Sequence, residues 1–350
     1  MNQTLSRILH SAMSAPSGDN TQPIRYRVDE GSRTIALVLD PSRDPSPMNS
    51  GQRMARMAAG ASLENVIQAA RSMGLSVDWQ PSEGEVVAVV QIAGEPDKTA
   101  PDEAIPRLRV TNRRLYDRRT IADDLLARLS RASGPIDGVT THWIVDRGRL
   151  DALAELIGRA DGVMFGNASM RRAFLASVRF DQLPDATVEE GLSFDSIEAT
   201  APERIALRTM KGLPDRILPR MGIARVFAGK ARQLVRSASG LCLIVAPDGH
   251  AATDLIVGRA LQQSWLALAE EGLATQPMMS LPVLENVEDN GSPGLRKELG
   301  IERLASLRRD FRALAPEIGE RRPAWLLRFG YASPPSGRTG RLPIESVLRQ

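Results

Sequence analysis

Apolar residues recur at two periods along this chain, one helical and one alternating or continuous, and together they mark out its elements. Leu5 to Met13 reads as a helical run and Ile24 to Val28 as a strand. A longer helix with a glycine stop is predicted over Gly60–Leu75, with Leu63, Val66, Ile67 and Ala70 on one face and Gly74 placed as a C-terminal cap. The segment from Gly258 to Leu273 has the same length between glycines, and its Leu261, Trp265 and Leu268 form the matching stripe. Each helix is later followed by a run that reads as a buried strand and turn, Val86 to Gly94 in the first case and Ala324 to Ala332 in the second. Leu241 to Val245 reads as a further buried strand, and Asp123 to Arg131 as a helix.

This repetition of helix and strand in one order predicts two diverged copies, about 1–100 and 101–350. The polar, proline-bearing stretch 94–101 suits the boundary. The second copy is much longer. The excess lies mainly in about 176–236, broken by Leu183-Pro184-Asp185, Gly191-Leu192, Ala201-Pro202 and Gly212-Leu213-Pro214. Apolar residues recur through it, from Phe194 and Ile197 to Val226 and Phe227, which argues for a folded lid over a disordered excursion.

Composition narrows the class. The chain has 350 residues, 42% of them hydrophobic and only 4% aromatic, so the core is aliphatic and alanine-rich. No stretch approaches the roughly 18 apolar residues of a bilayer span, and Met1 to Pro16 shows no secretory pattern. The single cysteine, Cys242, excludes an internal disulfide and fits a reducing cytoplasm as a buried thiol. Of the 45 basic residues only four are lysine, leaving 41 arginines, and these alternate with acids without an aromatic-interleaved basic patch. Neither a nucleic acid nor a membrane is expected as partner. His10, His142 and His250 are isolated and lack metal-ligand spacing, so no metal is expected. No nucleophile elbow, P-loop or dinucleotide fingerprint is present.

Two segments carry candidate chemistry. Ala15-Pro16-Ser17-Gly18-Asp19-Asn20-Thr21-Gln22-Pro23 packs two prolines, a glycine and four short polar side chains between helix and strand. Such a turn is either a cradle for anions and amides or an ordinary surface turn. In Arg107-Leu108-Arg109-Val110-Thr111-Asn112-Arg113-Arg114, an extended backbone would point Arg109, Thr111 and Arg113 to the same side, where they could converge on one anion; the alternative is a solvated basic run.

The first segment, A-P-S-x-x-N-x-Q-P before a strand, resembles the flavin-contacting loop of the FMN-dependent nitroreductase family, with Ser17, Gly18, Asn20 and Gln22 at the matching positions. The second resembles that family's R-x-S-x-R/K element, which implies that Arg109, Thr111 and Arg113 hold the ribityl phosphate and pyrimidine side of FMN. Glu270-Glu271-Gly272-Leu273-Ala274-Thr275-Gln276-Pro277-Met278 resembles the family's long helix and G-L/V-x-x-x-P turn. The resemblance places Pro277, Met279 and Ser280 beside the reactive flavin edge, although the family often has Glu-Gly where Met279 and Ser280 stand. Arg338-Thr339-Gly340-Arg341-Leu342-Pro343 resembles the terminal K/R-x-R-x-P element, with Arg341 the better match and Arg338 the second.

The loop falls in the first copy and the basic elements in the second. One composite FMN site is then complete and its symmetric counterpart lost, which resembles the single-chain, pseudo-dimer branch of Acg-type FMN-binding proteins. The resemblance implies an α+β nitroreductase-like fold, with a mixed central sheet flanked by helices, that already contains the two-lobed interface as a monomer. It implies a flavin oxidoreductase acting on a small organic acceptor, with NADH or NADPH as a reductant that leaves no Rossmann signature and no obligatory side-chain acid or base. The alternatives are a protein that stores or sequesters flavin under the lid, and a partner-dependent tailoring oxidase.

Overall fold

A computed structural model describes residues 2–97, 109–181 and 188–349. Arg107, Leu108, the predicted copy boundary beyond residue 97 and Leu183-Pro184-Asp185 lie outside the described residues.

The first half runs α1 (Gln3–Met13), β1 (Ile24–Asp29), β2 (Thr34–Leu39), α2 (Arg53–Ser72), β3 (Ser76–Pro81) and β4 (Val86–Ala93). The second opens with α3 (Asp123–Ala132) and β5 (Thr140–Ile144), followed by four helices: α4 (Arg147–Gly166), α5 (Ala168–Ser177), α6 (Ala201–Gly212) and α7 (Ile223–Ser237). It continues through β6 (Gly240–Ala246), α8 (Ala251–Glu270) and β7 (Ala274–Pro277). The helices α9 (Ser280–Asn290), α10 (Pro293–Leu299) and α11 (Ile301–Leu314) lead to β8 (Arg322–Gly330), and α12 (Ile344–Val347) follows.

The fold is α+β and internally duplicated. In place of one mixed central sheet, the strands form two antiparallel four-stranded sheets, ordered β1-β2-β4-β3 and β5-β6-β8-β7. Both follow the same path, with a long helix between the second and third strands. Parallel pairing among the named strands is confined to single bridges at the edges, Tyr26 to Leu348 and Thr111 to Thr275. The physical reason is connectivity: each half closes its own ladders locally, while the two long helices separate the sheets.

Those helices, α2 and α8, are longer than the glycine-to-glycine segments predicted. Gly60 and Gly258 do not begin them; they lie in their interiors, where the two helices cross. A Cβ on Gly60 would stand 2.0 Å from the Leu255 carbonyl oxygen, and one on Gly258 would stand 2.0 Å from the Met57 carbonyl oxygen. Leu255 precedes Gly258 by the same step as Met57 precedes Gly60, so the crossing has an internal two-fold character. The caps repeat too. Gly74 and Gly272 both take the left-handed conformation that glycine adopts without strain. Leu75 N–H then donates to Ala70 O and Leu273 N–H to Leu268 O, closing the same C-terminal motif twice.

Around the crossing the interface is polar, and its two buried carboxylates are paired. Glu64, fully buried, accepts from Arg259 at 3.0 Å and Gln263 at 3.0 Å. Asp254, likewise buried, accepts from Arg56 at 2.8 Å and Arg322 at 2.7 Å.

The halves differ in how their sheets are covered. Leu241, Leu243 and Val245 of β6 pack on one side with α4, α7, α9 and α11, whereas Cys242, Ile244 and Ala246 pack on the other with α3 and α8. This explains the continuous apolar run. Burial pushes the Cys242 thiol up to about 12 and leaves it inert. In β4 the alternation is half-solvated instead: Val87, Val90 and Ile92 face the core while Val89 and Gln91 are exposed, so this run is not the fully buried strand predicted. The turn joining β1 to β2 is short, whereas its counterpart between β5 and β6 contains α4 to α7 and holds the segment about 176–236. Within that segment, α7 packs Ala231 and Val235 into the main core. The part before it forms a satellite cluster around Phe180, Phe194, Leu207 and Met210.

Candidate functional site

A cavity of about 650 Å³ opens between the halves. All of the predicted site residues except Gln22 line it: Ser17, Gly18 and Asn20 from the first loop; Arg109, Thr111 and Arg113; Pro277, Met279 and Ser280; and Arg338 and Arg341.

Arg109, Thr111 and Arg113 all line the cavity, on a segment that is pinned to its neighbour. Thr111 bridges Thr275 beside β7, and Asn112 N–H donates to Thr275 O at 2.8 Å. The intervening Asn112 side chain turns away and donates to Ser333 O at 2.8 Å.

The loop at residues 15–22 is strained and clamped. Asp19, Asn20 and Gln22 all have positive φ, of 46°, 58° and 49°, which non-glycine residues rarely adopt. Their side chains show what holds them there. Asn20 Nδ2 donates to Glu189 O at 3.1 Å, and its Oδ1 accepts from Arg341 at 3.1 Å. Gln22 Nε2 donates to Glu189 O at 2.6 Å, and Gln22 Oε1 accepts from Leu342 N–H at 2.9 Å. Gln22 thus ties Glu189, in the segment about 176–236, to Leu342 near the C-terminus and is not part of the cavity wall.

Arg341 is similarly committed. Its N–H groups go to the carbonyls of Met13, Ser14, Ala15 and Gly340 and to Asn20 Oδ1. It closes the carbonyl end of α1, where a cation is favoured.

Arg109 differs. Nη2 donates to Ser14 O at 3.1 Å and the guanidinium lies 4.6 Å from the Trp265 ring centroid, but Nε is buried with no partner. Burial first, then the neighbouring charges of Arg341 and Arg338, push its pKa down to about 9. Three guanidinium groups therefore meet in one wall, and the most buried cation of the set is disfavoured as the fold stands.

Other donors share this condition. Trp265 and Trp325 line the cavity, and the Nε1 of each is buried without a hydrogen-bond partner. A buried donor left unpaired costs about 1–3 kcal/mol, so this wall is polar at a cost to stability. The first turn of α9 points the same way. Its N-cap, Met279, supplies no side-chain bond, so free backbone N–H groups and the positive end of the helix adjoin the cavity.

Carboxyls complete the lining. Asp161, on α4, is pushed up to about 7 by burial, with Ser280 opposing. Asp44 is pushed up to about 6 by burial and by Asp19. Asp19 is itself raised by burial against the pull of Arg113, whose Nη1 donates to Ser196 O at 2.6 Å. The motifs did not reveal Asp161, Asp44 or Trp325, because each comes from an element remote in sequence; only Trp265 lay on a recognised stripe. No metal-binding group of His, Cys, Asp and Glu exists among the described residues.

No family model matches this sequence. An uncharacterized protein of Mycobacterium tuberculosis (strain CDC 1551 / Oshkosh) is 23% identical over 339 residues, covering 94% of this chain and 46% of that protein. The chain thus spans about half the length of the curated relative it matches. Among solved structures it is similar to the FMN-dependent nitroreductase NfnB of Mycobacterium smegmatis in complex with NADPH (17% identical; 70% of this chain and 96% of that one; TM-score 0.37). It is also similar to a nitroreductase with bound FMN from Bacteroides fragilis (14% identical; 65% and 87%; TM-score 0.34). A third similar structure is oxidized iodotyrosine deiodinase bound to FMN and 3-iodo-L-tyrosine (15% identical; 68% and 94%; TM-score 0.34).

Proposed function

We propose that the cavity holds FMN and that the protein is a flavin-dependent oxidoreductase acting on a small organic acceptor. The observation that carries this reading is the cluster of three guanidinium groups, Arg109, Arg338 and Arg341, in the wall of one cavity that Ser17, Asn20 and two indoles also line. The residues fit the group. Arg109 and Arg338 suit the phosphate, and Arg341 adds its charge while its N–H groups brace the loop. The indoles and the α9 N-terminus suit the carbonyl and nitrogen acceptors of the ring. The volume suits a ligand of this size.

FMN, when bound, supplies hydride and electron transfer. The chain's own contributions are orientation, charge and water exclusion. The clamp of Asn20 and Gln22 fixes the loop before any ligand arrives. Met210, Ile223 and Phe227 of the lid keep the opposite wall apolar. Asp161 holds a proton on its carboxyl below about pH 7 and, standing above Asp44 at about 6, is poised to give it up near neutrality.

The test is spectroscopic. The protein should bind one FMN per chain, and anaerobic NADPH should bleach the flavin band; a chain that binds no flavin would refute the reading. With an acceptor present, oxidation rates should fall as pH rises through about 7 and lose that dependence in Asp161→Asn. Because folding raises this carboxyl's pKa, the stability tied to its proton is complete in acid and lost as pH rises through the folded value. Asp161→Asn should therefore raise Tm above neutrality more than in mild acid. An unchanged pH profile in Asp161→Asn would remove the residue from proton transfer.

A further inference from the structure

We propose that the tip of the lid docks on the surface of an anionic lipid bilayer and admits an apolar acceptor from it to the cavity. The docking rests on the lid alone; only the identity of the cargo as an electron acceptor rests on the flavin reading.

Helices α6 and α7 run antiparallel on either side of the cavity, while α7 itself packs along α4. Lys230 of α7 meets Glu203 of α6 at 2.8 Å, and Met210 near the end of α6 packs with Ile223 near the start of α7. Ala206 and Val226, one from each helix, both line the cavity and are both exposed, Val226 by 65%. They mark a mouth between α6 and α7. Ile205 is 66% exposed, Met221 51% and Ile217 36%, and of the seven large apolar side chains exposed among the described residues, four (with Val226) lie on this hairpin.

Charge specifies the occupant. Between residues 201 and 226, six residues are basic and two acidic. Both acids are already spent: Glu203 on Lys230, and Asp215 on Arg171 at 2.6 Å and on Arg172. Arg208 and Lys211 lie over the rings of Phe194 and Phe180, and Arg216, Arg220 and Arg225 make no ion pair among the described residues. Aliphatic side chains flanked by uncommitted cations match an interface of anionic headgroups over acyl chains. A nucleic acid would call for stacking aromatics instead, and the exposed residues here are Ile, Val and Met. The apolar lining behind the mouth, including Leu207, Phe174 and Phe227, suits cargo that partitions into lipid. The expectation of no membrane partner came from the lack of a spanning run, and no helix among the described residues is long and apolar enough to cross a membrane; surface docking requires none.

Co-sedimentation of the whole chain with vesicles tests this. Binding is expected to phosphatidylcholine vesicles containing phosphatidylglycerol, to weaken as salt rises, and to be much weaker with phosphatidylcholine alone. Arg216→Gln with Arg220→Gln, both exposed and outside the cavity, should lower partitioning on the order of thirtyfold, and Ile217→Ser with Met221→Ser should lower it further. Absence of sedimentation with the anionic vesicles, or equal sedimentation of the arginine variant, overturns the proposal. Concentration-dependent dimerisation that the same substitutions abolish, without vesicle binding, overturns it in favour of a second copy as occupant. FMN binding, measured separately on the same variants, should be unchanged; its loss in the parent chain would count against the flavin reading alone.

Discussion

Gly60→Ala is expected to destabilise the protein by more than about 3 kcal/mol, and Gly258→Ala equally. In an ordinary helix interior the same change stabilises by roughly 0.5–1 kcal/mol, since alanine is the better helix former and restricts the unfolded chain. The crossing reverses that sign. The added methyl would stand 2.0 Å from a backbone carbonyl oxygen of the opposite helix in each case, and a helix backbone cannot yield as a side-chain tip can. The helices would have to move apart, opening the buried networks of Glu64 and Asp254. Gly229 supplies the control. It lies inside α7 with nothing within 4 Å of its absent Cβ, so Gly229→Ala should follow ordinary helix propensity and stabilise slightly. Thermal unfolding of the three variants decides the matter, and a Gly60→Ala protein as stable as the parent would mean that the helices do not meet as described.

Arg109→Met should weaken FMN binding roughly ten- to a hundredfold, the value of one hydrogen bond to a charged group, and yet raise the Tm of the flavin-free protein. The two effects have one cause. The guanidinium is buried beside Arg341 and Arg338 with an unpartnered Nε, and its pKa falls to about 9. A cation whose folded pKa is lowered opposes folding at every pH below that value. Methionine keeps the apolar stem against Trp265 and removes the charge. For a domain of this size each kcal/mol recovered shifts Tm by roughly 2–4 °C. Melting curves and flavin fluorescence quenching measure the two arms. A variant that lost both stability and affinity would make Arg109 a structural residue like Arg341, whose N–H groups hold backbone carbonyls.

The sequence made the duplication legible through particular residues. The stripes of Leu63, Val66 and Ile67 and of Leu261, Trp265 and Leu268 belong to equivalent helices, and Gly74 and Gly272 end them alike. Gly60 and Gly258 misled, because a glycine is a punctuation mark in a single-chain reading and a close approach can be seen only with the partner helix in place. That Arg109, Thr111 and Arg113 line one cavity agrees with the two-residue period of extended backbone. Gln22 belonged to a motif yet serves as a strut, since its partners at Glu189 and Leu342 lie far along the chain. Asp161 and Asp44 carried no local signal, and Trp325 only that of a buried strand: each became a site residue only when distant elements closed one cavity. Two sheets stood where one was expected, because period and burial identify strands but not which of them share a ladder.

The central claim is that this cavity is built around a phosphate-bearing flavin. Titration of flavin-free protein with FMN and with riboflavin, which lacks the phosphate, tests it most directly. The arrangement of Arg109, Arg338 and Arg341 predicts riboflavin binding at least about a hundredfold weaker than FMN, since two charge-assisted hydrogen bonds suffice for that ratio; equal affinities for the two would contradict it.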